Sequence, residues 1–301
     1  MALRPAARAE IVARMTRTLL SLGHGYTARA LARRLIPEGW NITGTTRDVR
    51  AAAALEADGI AMQVWPGTDL RAAVAGASHI LVSIAPTGAG DPVLAALPDL
   101  FRDARPRWVG YLSTTVVYGD HQGGWVDETV PPAPGNARGR QRVLAERQWQ
   151  ATGLPLHIFR LAGIYGPGRG PFEKVRDGSA RRVIKPGQVF SRIHVDDIAG
   201  VLHASMLYPN PGAIYNVCDD DPAPPQNVIA HAARLLGLPL PPAVAIEDAN
   251  LTPMGASFYA ENKRVRNAKI KTLPGFTLRY PTYCEGLAAI LSHDQAPDAD
   301  A

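Results

Sequence analysis

Cysteine is almost missing from this chain: its 301 residues include two, Cys218 and Cys284, far apart and outside any CxxC or His-Cys spacing. Neither a disulfide framework nor a metal site is indicated, and a reducing, cytoplasmic setting is expected. Long apolar runs are lacking too. No stretch has the uninterrupted length of a membrane-crossing helix, so a soluble protein with no membrane partner is expected. Dense basic runs are also missing, since the formal charge of +5 comes from arginines scattered along the chain. That distribution points away from nucleic acid and toward an anionic small molecule as partner. No internal repeat or low-complexity linker divides the sequence, and while a homodimer is compatible with it, nothing in it fixes an oligomeric state. With 46% hydrophobic and 20% charged residues, the chain is long enough for one large α/β domain carrying a smaller lobe.

What is present is organised around Thr18 to Ile36, TLLSLGHGYTARALARRLI. Residues 18–22 are a short apolar run without helical period, ended by Gly23-His24-Gly25, which predicts a buried strand entering a tight turn. Ala28, Leu31, Ala32 and Leu35 then recur at i, i+3, i+4 and i+7, the stripe of an amphipathic helix. Strand, turn and helix together form a GxGxxA dinucleotide-binding fingerprint. Gly23 allows the turn, Gly25 lets a pyrophosphate approach the backbone, and Ala28 lets the helix pack close to the strand. The helix start offers N–H groups, Tyr26 and Thr27 among them, to the phosphates. A glycine turn without a ligand is the competing reading.

A second strand is expected over Trp40 to Thr45, and the residues directly after it bear on the cofactor. An acid at this strand end receives the ribose hydroxyls of NAD, whereas an arginine accommodates the extra phosphate of NADP. Here Thr46 and Arg47 come next, Arg50 lies one turn later, and the nearest acid, Asp48, is beyond the arginine. NADP is therefore expected ahead of NAD, with Thr46 and Arg47 as binding residues; solvated arginines opening the next helix are the alternative. Strands at Ile60 to Val64, Ile80 to Ile84 and Trp108 to Leu112, with helices through Leu70 and Val74 and from Pro92 to Arg102, complete the alternation of a parallel sheet covered on both faces. Ala85 and Pro86 come after the fourth strand at the edge where such sheets bind ligands, as cofactor contacts or as a plain proline turn.

Four later stretches, YLSTTVVYGD from Tyr111, FRLAGIYGPGRGP from Phe159, SRIHVDDIAG from Ser191 and YNVCDDDP from Tyr215, carry a resemblance. In their order and spacing the chain resembles an extended-type short-chain dehydrogenase/reductase of the NAD(P)-dependent epimerase/dehydratase superfamily, from the first strand to about Pro222. The resemblance implies a Rossmann-type doubly wound parallel sheet, a smaller C-terminal α/β substrate lobe, and an active site between them. It also implies that Thr114 stands where the family has its catalytic Ser or Thr. The chain then departs from the pattern. With Glu146 as register, the family's YxxxK pair falls on Arg138 and Arg142. Arg142 retains a positive charge for the nicotinamide ribose. Arg138 keeps its proton at any working pH and cannot take the tyrosine's part in proton transfer. The resemblance is thus to an atypical member.

Tyr118 and Tyr165, each in a YG pair, are read as packing residues with hydrogen-bonded hydroxyls. His194 and Asp196 are expected along one side of an extended segment, with Asp197 capping a helix from Ile198. His121 lies on the loop GDHQGGWVDETVPPAPG, exposed or serving as a base. Arg169, Lys174, Arg181, Arg182 and Lys185 would crowd charge near an anionic substrate, or else line a solvated lid. A helix over Gln226 to Leu236, a strand-like TLRYPTY and a last helix around Leu287 to Leu291 complete the second lobe. The expected division is a flexible extension at 1–14, with Met15 a candidate translation start; a cofactor domain at 15–165, rejoined by 190–218; a substrate lobe at 166–189 and 219–291; and a disordered tail at 292–301. Two functions compete. One is an NADP-dependent reductase, epimerase or dehydratase using Thr114, Arg138 and Arg142 on a small polar or anionic substrate, a nucleotide sugar among the candidates. The other is a non-catalytic NADP-binding sensor.

Overall fold

The computed structural model describes residues 17–295. The expected extension at 1–14, Met15 and residues 296–301 of the expected tail lie outside the described residues, and the last helix reaches Gln295.

Strand β1 (Thr18–Leu22) turns at Gly23 into helix α1 (Tyr26–Leu35). Then come β2 (Asn41–Thr46), α2 (Val49–Ala57), β3 (Ala61–Val64), α3 (Arg71–Gly76), β4 (His79–Val82), α4 (Pro92–Ala96) and β5 (Trp108–Thr114). After the two-residue β6 (Trp125–Val126), helix α5 (Ala137–Gln150) leads to β7 (Leu156–Leu161), and β11 (Ile214–Val217) closes the set. The seven-stranded sheet runs β3-β2-β1-β4-β5-β7-β11. The register of β1 with β2 and β4, of β2 with β3 and of β4 with β5 is parallel throughout. This is the doubly wound Rossmann order, whose direction reverses between β1 and β4. The loops after those two strands therefore flank the switch point, the position at which such sheets take ligands.

The chain divides into two compact units. The first comprises 17–113, Leu144–Phe159 and Leu202–Ile214. Its core is built from alternating apolar strand residues, Leu20, Leu22, Ile80, Val82, Val109 and Tyr111, packed with Phe101, Trp149 and Ile158. Trp108 is fully buried and donates its indole N–H to Ser205 Oγ at 2.9 Å, so its one polar atom is satisfied. The second unit comprises Thr114–Val143, Arg160–Val201 and 215–295. Within it, β8 (Gly163–Tyr165) pairs with β10 (Arg192–His194), β9 (Arg182–Ile184) with β12 (Ala243–Ala245), and β6 with β13 (Arg264–Val265). Helices α6 (Phe172–Arg176), α8 (Pro225–Leu235) and α10 (Tyr283–Gln295) bury Phe172, Val175, Val228, Ala232 and Leu287 in a separate core. Helix α7 (Val195–Leu207) and the seven-residue α9 (Pro253–Tyr259) complete the elements used below.

Three sequence expectations are corrected. Helix α4 stops at Ala96 instead of Arg102, because Leu97 precedes Pro98 and is pushed out of the helical region, to φ −137°. Helix α7 starts at Val195, so Asp197 lies in its first turn and His194 Nδ1, accepting from Asp196 N at 3.1 Å, takes the capping role. The TLRYPTY segment forms no strand: the amides of Arg279 and Tyr280 donate to the Asp197 carboxylate at 2.7 and 3.1 Å. Those donors are no longer available to a sheet ladder.

Buried ionisable side chains give stability a signed pH dependence. Burial lowers His24, His79, His157 and His194 from 6.5 to about 4, and raises Asp197 to about 6 and Asp219 to about 8. Between about 4 and 6.5 the unfolded chain protonates four imidazoles that the folded chain keeps neutral, and this outweighs the two carboxylates on which the fold retains protons. Stability is accordingly lost as pH falls through that window. Above it, of these six groups Asp219 alone still differs, with opposite sign. Thermal unfolding followed from pH 4 to 9 is expected to peak near pH 6.5, steeper on the acid side; a flat acid limb is the contrary result.

Candidate functional site

Within the first unit the glycine turn is held from two sides. Gly23 sits at φ +85°, and a Cβ there would stand 2.8 Å from Ile84 Cγ1, so glycine is required both by conformation and by space. Gly23 N donates to Thr45 Oγ1 and His24 N to Thr45 O, each at 2.8 Å, while the Ser83 hydroxyl donates to Gly23 O. The ends of β2 and β4 thus clamp the turn between them. Gly25 differs: a Cβ there would meet nothing within 4 Å, which leaves its face open for a ligand to approach. It is also the N-cap of α1, with no capping side chain and no acid in the first turn, while Arg33 and Arg34 occupy the last. An uncapped helix start with open backbone beside it favours an anion. Tyr26, Thr27 and the fully buried Ala28 form that first turn, so the turn residues expected from sequence lie together. These residues fit a dinucleotide pyrophosphate.

The turn also carries a residue that no sequence pattern marks. His24 is buried against β2, where Gly44 makes room for it: a Cβ on Gly44 would stand 2.8 Å from His24 Cβ and Cγ and from Met62 Sδ. Among the described residues neither ring nitrogen has a hydrogen-bond partner, and burial holds the imidazole neutral, with its pKa lowered to about 4. No signal in the sequence pairs positions 24 and 44, because their meeting depends on the register of β1 with β2.

At the end of β2, Thr46 Oγ1 accepts from Asp48 N at 3.1 Å, and Arg47 is exposed. Asp48 is the N-cap of α2, its carboxylate accepting from Arg50 N at 2.8 Å and from Ala51 N at 3.4 Å. One oxygen of the nearest acid is therefore committed to the helix. Ala85 and Pro86 come after β4, and the loop beyond them is closed by paired backbone bonds between Thr87 and Gly90 at 2.8 and 3.0 Å. Gln148 latches this loop, accepting from Asp91 N at 2.8 Å and donating to Ala89 O at 3.1 Å.

In the second unit Thr114 caps the 3-10 turn Thr115–Tyr118, its hydroxyl accepting from Val116 N at 3.3 Å. The hydroxyl proton is left for another acceptor. Asn136 caps α5, accepting from Gly139 N at 2.9 Å and donating to Glu261 at 2.8 Å; Glu261 pairs with Lys263 at 2.7 Å, which donates to Gly119 O at 2.7 Å. Gly119, at φ +74°, has no alternative, since a Cβ would come 2.1 Å from Ala133 O. Along α5, Arg138, Arg142 and Glu146 stand at four-residue spacing and share a face. Glu146 is buried and accepts from the Ser113 hydroxyl, Arg142 is half-buried, and Arg138 is exposed. The Arg138 guanidinium lies 5.6 Å above the Phe258 ring, with Nη1 3.0 Å from Met254 Sδ.

Tyr118 is structural. Its hydroxyl donates to Asn216 Oδ1 at 2.7 Å and accepts from Arg160 at 3.0 Å, and burial raises its pKa. Tyr165, also raised by burial, donates to Thr282 O at 3.3 Å. His121 Nε2 lies 3.2 Å from Tyr118 O. Of the expected basic crowd, Arg182 donates to Pro241 O at 2.8 Å and Lys185 to Tyr259 O, so both charges are occupied by backbone carbonyls.

Comparison with known proteins agrees with this architecture. Protein YeeZ of Escherichia coli strain K12 is 33% identical over 279 residues, 86% of this chain and 95% of that protein. A 3-diazoavenalumate denitrifying reductase of a Streptomyces species is 29% identical over 182 residues, 54% of this chain and 58% of that one. Among solved structures, a functionally unknown conserved protein from Silicibacter pomeroyi DSS superimposes with a TM-score of 0.88 at 61% identity, covering 93% of this chain and all of that one. UDP-glucuronic acid 4-epimerase from Bacillus cereus, in complex with NAD, gives a TM-score of 0.74 at 15% identity over 93% of this chain and 100% of that one, a likeness of fold. No family model matches. The doubly wound sheet with its glycine turn is the fold that the chain shares with the NAD-bound epimerase. The chain belongs to the family of Protein YeeZ.

Thr45→Val removes the hydroxyl that holds Gly23 N. The lost bond is expected to cost about 1–3 kcal/mol, appearing as weaker dinucleotide binding in a fluorescence titration together with a lower denaturation midpoint. An unchanged affinity would separate the clamp from the binding site.

Proposed function

We propose that this protein is an NADP-dependent reductase, epimerase or dehydratase acting on a small polar or anionic substrate. One observation carries the choice of cofactor. The acid next in sequence to the end of β2, Asp48, spends Oδ1 on the amides of Arg50 and Ala51 and is held by them to the helix start, whereas the exposed guanidinium of Arg47 is on offer to a ribose phosphate. The turn of Gly23, Gly25, Tyr26, Thr27 and Ala28 holds the pyrophosphate, Thr46 and Arg47 the ribose phosphate, and Ala85 and Pro86 border the cofactor. Arg142, at the position of the family lysine, binds the nicotinamide ribose. NAD in the Bacillus cereus epimerase and the reductase activity named for the Streptomyces relative support a nicotinamide cofactor in general terms.

A bound nicotinamide would supply or accept a hydride. Thr114 would donate a hydrogen bond from its hydroxyl to a substrate oxygen and keep its proton, the Val116 amide having fixed the orientation of its lone pair. Arg138 and Arg142 stabilise negative charge without exchanging protons, so the proton that balances the hydride comes from solvent or from the substrate itself. A second reading, a non-catalytic NADP-binding sensor, is favoured by the same guanidinium at position 138. Neither Tyr118 nor Tyr165 can replace the family tyrosine, since burial holds both phenols protonated and each hydroxyl is bonded within the second unit. A screen of sugar nucleotides, keto acids and aldehydes for cofactor-dependent turnover separates the two.

Arg47→Ala is expected to weaken NADPH binding about 10- to 100-fold, the loss of a charge-assisted phosphate contact, and to leave NADH binding nearly unchanged. Equal losses for both nucleotides would remove the NADP assignment.

A further inference from the structure

Large apolar side chains are left in water beside Arg138. Met254 and Phe258, one turn apart on α9 and so on one face of it, are 55% and 45% exposed. They are not a bare patch, because the guanidinium rests on them: its Cζ lies over the phenyl ring and one nitrogen contacts the thioether. Among the described residues Arg138 forms no ion pair. The carboxylate of Glu261 is taken by Asn136 and Lys263, and a sulfur atom and a ring face leave most of the planar N–H fork unused. A cation with unspent donors is thus mounted on an apolar platform, at the helix position where the superfamily has its proton-transferring tyrosine.

From this we infer that the substrate is a carboxylate attached to an aromatic or alkyl body. The inference rests on the reading of this protein as an NADP-linked enzyme and narrows its substrate. The fork of Arg138 matches a carboxylate in bidentate geometry, and its contact with the ring orients it in advance. The phenyl and thioether surfaces exclude water from an apolar body. They offer nothing to sugar hydroxyls, which would leave water without a partner there, so the platform favours an apolar body over a sugar ring.

The test is calorimetric titration of the NADPH-loaded protein with trans-cinnamate, phenylpyruvate and octanoate, compared with neutral cinnamamide and with UDP-glucose. At least one carboxylate is expected to bind, with cinnamamide weaker by about tenfold or more. Arg138→Gln is expected to remove that difference, Arg138→Lys to keep part of it, and Phe258→Ala to weaken the aromatic acids more than octanoate. Both positions are exposed, so the fold is retained and thermal unfolding checks it. The inference is overturned if no acid binds, if acid and amide bind equally, if Arg138→Gln changes nothing, or if UDP-glucose binds more tightly than the acids. NADPH titration beforehand keeps the two readings apart. Saturation by NADPH with no acid bound removes the substrate class and leaves the cofactor; if the protein ignores NADPH, the acids are titrated on it alone, and their dependence on Arg138 decides.

Discussion

The first unit's site depends on the hydrogen bonds that Thr45 makes to the glycine turn. Side chain and carbonyl of one residue engage two successive amides, Gly23 and His24, while Ser83 engages the Gly23 carbonyl from the neighbouring strand. A glycine at positive φ is otherwise free to visit many conformations, and these bonds select one. The start of α1, the open face of Gly25 and the direction of the first-turn amides result from that selection. Backbone amides therefore set much of the electrostatic character of the site, with Arg29 and Asp58 acting on His24 and the exposed Arg47 following β2.

Much of this was legible in the sequence because it is local and periodic. The apolar run of β1, the glycine pair and the i, i+3, i+4, i+7 stripe of α1 each depend on neighbours within a few residues, and they appear where expected. The identity of Arg47 and Asp48 was legible too, but not the capping bonds that occupy the acid. What depends on register or on distant segments was hidden. His24 and Gly44 meet across two strands, Asp197 holds a segment 82 residues later, and Arg138 meets Met254 over a separation of 116. The TLRYPTY stretch has strand composition and still forms none, since its amides are bonded to a carboxylate. Composition reports what a segment prefers; which donors remain available is decided by the rest of the chain.

The tyrosines show the same division. Sequence alone shows that Tyr118 and Tyr165 exist near the right motifs, and the structure gives each hydroxyl a fixed partner and a raised pKa. Tyr118, between Arg160 and Asn216, belongs to the architecture of the second unit. Proton transfer is thereby withdrawn from the phenols, and the exposed guanidinium of Arg138 gives the region a permanent charge instead.

Helix α5 is fastened by Asn136 at its start and by Glu146 ten residues on, through bonds to Gly139 N, Glu261 and Ser113 that do not use the exposed Arg138 side chain. Those fastenings stay in place whatever position 138 carries. In evolutionary terms that position is a socket: an ancestor could trade one chemistry for another there by a single substitution, remaining folded while selection tried out the new side chain.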